Sequence, residues 1–299
     1  MDDLTLASRS LPALESDRPE DELPGSPNYN VTEKGQNPRP LMSPHASTQV
    51  ADRVDSLINT GREAVQRGDL IAARSYLSEA FAQTLDPAQA TLLRAELTRI
   101  GNETVFSPRI LPNDPIVEHY IIQPGDTLGK VAKANMLSPD LLANINGIAN
   151  KNLIRAGQTI KVIKGPFRAV VHKPTYSMDV YLGSTFVKHF KVGLGADGST
   201  PTGEWRVATK LTNPTYYPPR GGQIISADDP QNPLGERWIG LEGVSGEALG
   251  QHRYGIHGTI EPETIGQNVS LGCIRMYNED VEDLYTYLVE KHSTVEVRN

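Results

Sequence analysis

Cysteine is nearly absent: the chain of 299 residues has one, Cys273. An intrachain disulfide is excluded, and so is a CxxC metal site. The seven histidines show neither HxxxH nor HExxH spacing, so no metal is expected. No run of about 18 apolar residues occurs, which argues against a transmembrane helix. Positive charge is in deficit, with 29 Lys and Arg against 36 Asp and Glu and a net charge of −7. Nucleic-acid binding wants a basic face, so that class is excluded. The same deficit means that an anionic partner would be held by specific contacts, not by bulk attraction. A phosphate loop is missing too. Gly193-x-Gly195-x-x-Gly198 fits GxGxxG as a string, but Thr200-Pro201-Thr202-Gly203 follows it in place of a helix, so it reads as a turn. No cofactor is implied.

What is present divides the chain into four segments. Residues 1–49 read as a disordered tail, because Pro12, Pro19, Pro24, Pro27, Pro38, Pro40 and Pro44 break helices and apolar residues are sparse. Residues 50–103 read as helical. Val54, Leu57, Ile58, Ala64 and Val65 give one amphipathic stripe, and Ile71, Ala72, Tyr76, Leu77, Ala80 and Phe81 a second, after a turn at Gly68-Asp69. Asp86-Pro87 predicts the cap and first position of a third helix, with Leu92, Leu93, Leu97 and Ile100 apolar and Gly101-Asn102 as its stop. The small residues Gly68, Ala73 and Ala80 resemble a single tetratricopeptide-type hairpin. One such repeat cannot stack alone, so an interaction module or a packing partner is expected, with a plain spacer as the alternative.

Residues 116–164 read as strand, two short helices and strand: Glu118–Ile122, a Pro124-Gly125 turn with Asp126 as helix cap, Ser138-Pro139 opening a second helix, and Thr159–Val162. Residues 168–299 read as mostly β, with strands at Arg168–His172, Met178–Leu182, Phe186–Val192, Gly221–Ile225, Trp238–Leu241 and Thr294–Val297. One late helix carries Val281, Leu284, Tyr285, Leu288 and Val289 as a core stripe.

The chemistry-bearing pattern lies in that last segment. Cys273 stands in Ser270-Leu271-Gly272-Cys273-Ile274-Arg275-Met276, downstream of Ile256-His257-Gly258-Thr259. A thiol attacks well as thiolate, and free cysteine ionises near pH ~8.5. An imidazole within reach takes the proton and returns it to a leaving amine. Gly272 lets the backbone approach a reacting carbonyl, so that its amide and that of Cys273 hold the oxyanion.

These two motifs resemble the active-site signature of L,D-transpeptidases of the YkuD type. Lys191-Val192-Gly193-Leu194-Gly195, Ser199-Thr200-Pro201-Thr202-Gly203-Glu204-Trp205, Asn213–Pro219 and Asn232–Leu241 match in the same order, and the likeness covers roughly 168–298. It implies a β-sandwich-like catalytic domain in an α+β multidomain chain. It also implies cross-linking of peptidoglycan stem peptides through a cysteine thioester, with Cys273 as nucleophile and His257 as acid and base. In the family a backbone carbonyl orients the histidine, which gives that role to Gly258. Ser270 is expected to hold the cysteine turn or donate to substrate, and Arg275 to bind a substrate carboxylate or pin the loop. Tyr216, Tyr217 and Trp238 are candidates to line a cleft, though packing is the more ordinary use. Many relatives carry a second histidine before Gly-Cys; here it is Leu271, which places that position outside the proton relay. An L,D-carboxypeptidase, a hydrolase with water as acceptor, would use the same residues, and a non-catalytic wall-binding protein is a third reading.

Residues 116–164 resemble a LysM domain on Tyr120…Pro124-Gly125-Asp126-Thr127-Leu128 and Leu153…Gly157-Gln158…Ile160. That implies binding of N-acetylglucosamine glycan in a groove between Gly125, Asp126, Thr127 and Leu128 on one side and Gly147, Ile148 and Asn150 on the other. Peptidoglycan is thus the implied partner, and the cell envelope the implied location. Met1-Asp2-Asp3-Leu4 is acidic, with no basic start or apolar core, so it does not read as a secretory signal. The two expectations conflict, and a truncated or misassigned start is the favoured reading.

Overall fold

A computed structural model describes residues 44–84, 86–219 and 221–299. Three helices come first: α1 (Pro44–Gln66), α2 (Leu70–Gln83) and α3 (Pro87–Thr104). The expected tail lies outside the described residues up to 43, but 44–49 belong to α1. Pro44 takes the first helical position, where a missing N–H costs little, and Val50 packs on the helical core. Gly68 turns the chain at φ 78°, and Asp69 caps α2 by accepting from Ala72 N. Asp86 caps α3, with Pro87 next. Leu93, Leu97 and Ile100 are fully buried, but Leu92 is 62% exposed and stands off the stripe. Gly101 does not stop α3, which runs on to Thr104. It is needed for close approach: a Cβ there would strike the Val187 carbonyl of a later strand.

Next come β1 (Val117–Ile121), α4 (Leu128–Ala134), α5 (Pro139–Asn144) and β2 (Thr159–Ile163), with β1 and β2 antiparallel. Ser138 caps α5 as expected, accepting from Leu141 N. The cap of α4 is Thr127, not Asp126. Asp126 is already engaged, accepting from Tyr120 Oη at 2.8 Å and Gln123 N at 2.8 Å, which closes the Pro124-Gly125 turn.

The remaining strands are β3 (Phe167–His172), β4 (Ser177–Leu182), β5 (Thr185–Lys191), β6 (Leu194–Gly195), β7 (Gly203–Thr212), β8 (Arg237–Gly243), β9 (Tyr254–His257), β10 (Asn268–Ser270) and β11 (Ile274–Arg275), then α6 (Asn278–Tyr287) and β12 (Thr294–Arg298). Eight of them form one mixed sheet in the order β11-β9-β8-β7-β12-β3-β4-β5, while β6 and β10 make a parallel ribbon. Beyond β5, Gly193 exchanges backbone hydrogen bonds of 2.9 Å with Arg275 of β11. The two edges of the sheet therefore meet, and the curled sheet encloses one core in which Val171 and Val180 join Ile239 and Ile256. The chain is α+β, with a mostly β C-terminal unit. The stripe on α6 faces that core: Val281, Leu284 and Leu288 are fully buried. Gly221–Ile225 is not a strand. Gly221 and Gly222 take φ 80° and 132°, outside extended geometry, and a single bridge, Tyr216 to Ile225, is all that forms.

A further contact holds the parts together. Asp179 of β4, fully buried, accepts from Arg94 of α3 through Nε and Nη2 at 2.9 Å, with His189 Nδ1 at 2.8 Å and His172 Nε2 at 3.2 Å. Burial alone would raise this carboxyl, but contacts with His172, His189 and Arg94 outweigh it and hold it well below the usual range. The helical unit thus packs on this sheet and covers the length of β5 that the Gly193–Arg275 closure leaves without a second strand partner, a common way to protect an edge. A cavity of about 290 Å³ lies where Asn102, Ile145, Lys188 and Asp283 converge.

Candidate active site

β9 is flanked by β8 on one side and β11 on the other. His257 pairs with Trp238 of β8 and Arg275 of β11. Partners in a parallel ladder show their side chains on the same face, and residues two apart along an extended chain also share a face. Running back from Arg275, Cys273 therefore falls on the His257 side. The Gly255 amide, two residues before His257, is close enough to the thiol to favour its ionised form. The structure thus brings the two motifs together along β9.

The imidazole is closely held. His257 Nδ1 lies 2.7 Å from the Gly258 carbonyl oxygen. A carbonyl can only accept, so Nδ1 carries the hydrogen and Nε2 keeps its lone pair. The ring stacks on Trp238 at 5.7 Å and 19°. Burial takes His257 down to about 4; the Gly258 bond opposes this and the Arg275 charge adds to it. Burial raises the Cys273 thiol, partly offset by the Gly255 amide and Arg275. Neither the junction cavity nor the cleft on the βααβ unit borders Cys273.

The remaining expected residues fall into two groups. Ser270, buried, donates from Oγ to the Cys273 carbonyl at 2.6 Å and accepts from Gly272 N at 3.1 Å, so it holds the cysteine turn. That bond uses the Gly272 amide, which was expected to face an oxyanion. Gly272 itself has φ 130°, and a Cβ would come within 2.6 Å of the Tyr254 ring. Arg275 pins the loop, bonding Glu261 at 2.8 Å, and its Nε is buried without a partner among the described residues. Leu271 points outward, 56% exposed. Tyr217 is 68% exposed in the long loop before β8.

Several residues were not anticipated. Thr200, buried, accepts from Gly195 N at 2.8 Å and donates to the Gly272 carbonyl at 3.0 Å, so the Gly193–Gly195 and Thr200-Pro201 motifs buttress the cysteine loop. Asn278, at the start of α6, accepts through Oδ1 from Thr259 N at 2.9 Å. It fills the space where a Cβ on Gly258 would lie, fixing the carbonyl that holds the imidazole. Its signal was its position two residues past the cysteine motif, where the last helix begins. Among the described residues, no group of three His, Cys, Asp or Glu is placed to hold a metal ion.

On the βααβ unit, Gly125, Thr127 and Asn150 are exposed, and Asp126 is engaged as above. The Leu128 side chain is 1% exposed and belongs to the core, so it cannot cover a sugar face. Ile148 packs against the same core, and Gly147 lies beside Pro108. The open cleft lies further along the chain, lined by Leu153, Arg155, Ala156 and Gln158. Leu153 is 71% exposed in it.

Comparison with known proteins agrees with this architecture. Residues 166–297 match the L,D-transpeptidase catalytic domain of the YkuD family, and residues 120–162 match the LysM domain. YkuD of Bacillus licheniformis is 31% identical over 173 residues, which cover 55% of this chain and 90% of that protein. YqjB of Bacillus subtilis (strain 168) is 40% identical over 119 residues, covering 39% of this chain and 62% of the relative, so under two thirds of its length is spanned. Both carry L,D-transpeptidase in their names. A solved L,D-transpeptidase from Mycobacterium tuberculosis H37Rv superposes with a TM-score of 0.36 at 16% identity, covering 48% of this chain and 63% of that one. The chain belongs to the YkuD-type L,D-transpeptidase family, with a LysM domain ahead of its catalytic domain. No helix of the described residues is long and apolar enough to cross a membrane.

Proposed function

We propose that this protein is a peptidoglycan L,D-transpeptidase of the cell envelope, working through a thioester on Cys273. The observation that carries the reading is the tautomer of His257. Its Nδ1 hydrogen is tied to the Gly258 carbonyl, leaving Nε2 as a base on the face that Cys273 shares. In the first step the thiol proton passes to Nε2 as sulfur attacks the carbonyl carbon of the L-centre of diaminopimelate in a tetrapeptide stem. The bond to D-alanine breaks, its amine takes the proton from His257, and the thioester remains. In the second step the side-chain amine of another stem gives a proton to His257 and attacks the thioester. The carbon–sulfur bond breaks, and Cys273 recovers its proton. The Gly272 amide is committed to Ser270, so the Cys273 amide is the oxyanion donor of that pair. Arg275 tunes the site by its charge and pins the loop through Glu261.

The LysM domain would grip N-acetylglucosamine glycan along the Gly125–Thr127 turn and the Leu153–Gln158 cleft, with backbone amides meeting N-acetyl groups and Leu153 lying on a sugar face. Incubation with disaccharide-tetrapeptides tests the assignment. Cross-linked dimers are expected, lost in Cys273→Ala and His257→Ala. Tripeptides without dimers would mean that water is the acceptor, and full turnover in either variant would remove the thiol–imidazole mechanism.

A further inference from the structure

Every pair of the three units is fastened by buried or half-buried polar bonds. Lys161 of the LysM strand β2 is 1% exposed, and its Nζ donates to the carbonyls of Thr104, Ser107 and Arg109, at 2.6, 2.8 and 3.0 Å. These carbonyls belong to the end of α3 and the segment after it, so LysM is hooked to the helical unit. Arg74 of α2 and Asp114, just before β1, form a second hook, 3% and 8% exposed and 2.5 Å apart. The helical unit is clamped to the catalytic sheet by Arg94 and Asp179. LysM meets the catalytic unit through Ser138 Oγ, which donates to the Thr286 carbonyl of α6 at 2.5 Å. Phe106 lies between the units, stacked on Tyr287 at 4.4 Å and near Phe167 at 6.1 Å. The join itself is not slack: Gly165 N donates to the Asn135 carbonyl at 2.8 Å.

A chain of two domains on one joint swings; three bodies fixed pairwise form a closed triangle without a hinge. Opening any side would strand a buried charge or carbonyl, which is costly. Resting on the proposed function, we infer that the helical unit is a brace that holds the LysM cleft and Cys273 at one fixed separation, so that the enzyme cross-links stems at a set offset from the sugars it grips. A tethered LysM domain would raise the local concentration of many stems; a braced one selects among them.

Two measurements test this. Spin labels at Lys151→Cys and Lys291→Cys, in a Cys273→Ala background, should give one narrow distance distribution. A broad one would overturn the inference whatever the activity. The second compares the wild type with a variant carrying Ser138→Ala, Lys161→Met and a ten-residue glycine-serine insertion between Lys164 and Gly165, a length of roughly 30 Å at full extension. On free disaccharide-tetrapeptides both should cross-link at equal rates; an inactive wild type there refutes the proposed function, not the brace. On glycan strands of increasing length, the wild-type rate should step up by about tenfold or more at one length, while the loosened variant should rise gradually. A gradual rise in the wild type, or the same step in both proteins, would overturn the brace.

Discussion

The resting state of the thiol and imidazole should be neutral, and the prediction follows from two opposing magnitudes. His257 is brought to about 4, and Cys273 is raised from 9.0, both by burial. Moving a proton from sulfur to nitrogen thus spans at least about five pH units, or ~7 kcal/mol at 1.36 kcal/mol per unit. Mutual attraction of the product charges recovers only part of that. For unit charges ~4 Å apart at an effective dielectric of about 20 such an attraction is worth ~4 kcal/mol. The neutral pair wins by ~3 kcal/mol, so His257 acts as a general base during attack and not as the partner of a standing thiolate. The assay is alkylation of Cys273 by a small neutral reagent as a function of pH. The rate should climb continuously through neutrality toward a titration above pH 9, and His257→Ala should leave the profile nearly unchanged while abolishing acyl transfer. A plateau of reactivity between pH 5 and 8 that vanishes in His257→Ala would refute the reasoning, because it would report an ion pair formed before substrate arrives.

The same burial links His257 to stability. The unfolded chain takes up a proton near pH 6.5 that the folded site refuses until about 4, so the native state should lose up to about 3 kcal/mol as pH falls through that window; denaturant titrations of wild type and His257→Gln should diverge there. Asp179→Asn should cost about 3–5 kcal/mol by leaving the Arg94 charge buried without its partner, measurable by equilibrium unfolding. Because the Asp179 carboxyl is held below its ordinary value, that contribution is present above about pH 4 and is lost as pH falls through the folded value. Gly272→Ala should abolish cross-linking, since φ 130° is strained for alanine and the new methyl meets the Tyr254 ring; wild-type turnover would contradict that. Asn278→Ala should leave the Thr259 amide unsatisfied at a cost of about 1–3 kcal/mol and lower kcat more than KM, because it frees the carbonyl that orients His257.

Residue type made the candidate site legible, while the fold that assembles it was mostly hidden. Cys273 and His257 stood out because a solitary thiol and an Ile-His-Gly segment bear chemistry at any distance. The strands that unite them did not, because β9 and β11 are four and two residues long and carry no alternation for a pattern to catch. Gly221–Ile225 failed in the opposite sense: its isoleucines suggested a strand, but two glycines in left-handed geometry deny it one. Gly101 shows how one residue type serves opposed ends. At a helix terminus glycine usually marks a stop, yet here it permits contact with Val187, a partner far along the chain. The Arg94–Asp179 clamp is of the same kind, joining residues 85 apart in sequence. Neither residue is exceptional in its own neighbourhood, and each gains meaning only through burial by the other's element. Local periodicity therefore found the helices and the longer strands, and residue type the chemistry, whereas docking of the units was encoded in single residues whose reasons lie elsewhere in the chain. The helical region is the clearest consequence: a packing partner or interaction module is expected there, yet nothing near Gly68 or Ala73 says what it packs on, because the groups it meets are Asp179, Val187 and Lys161.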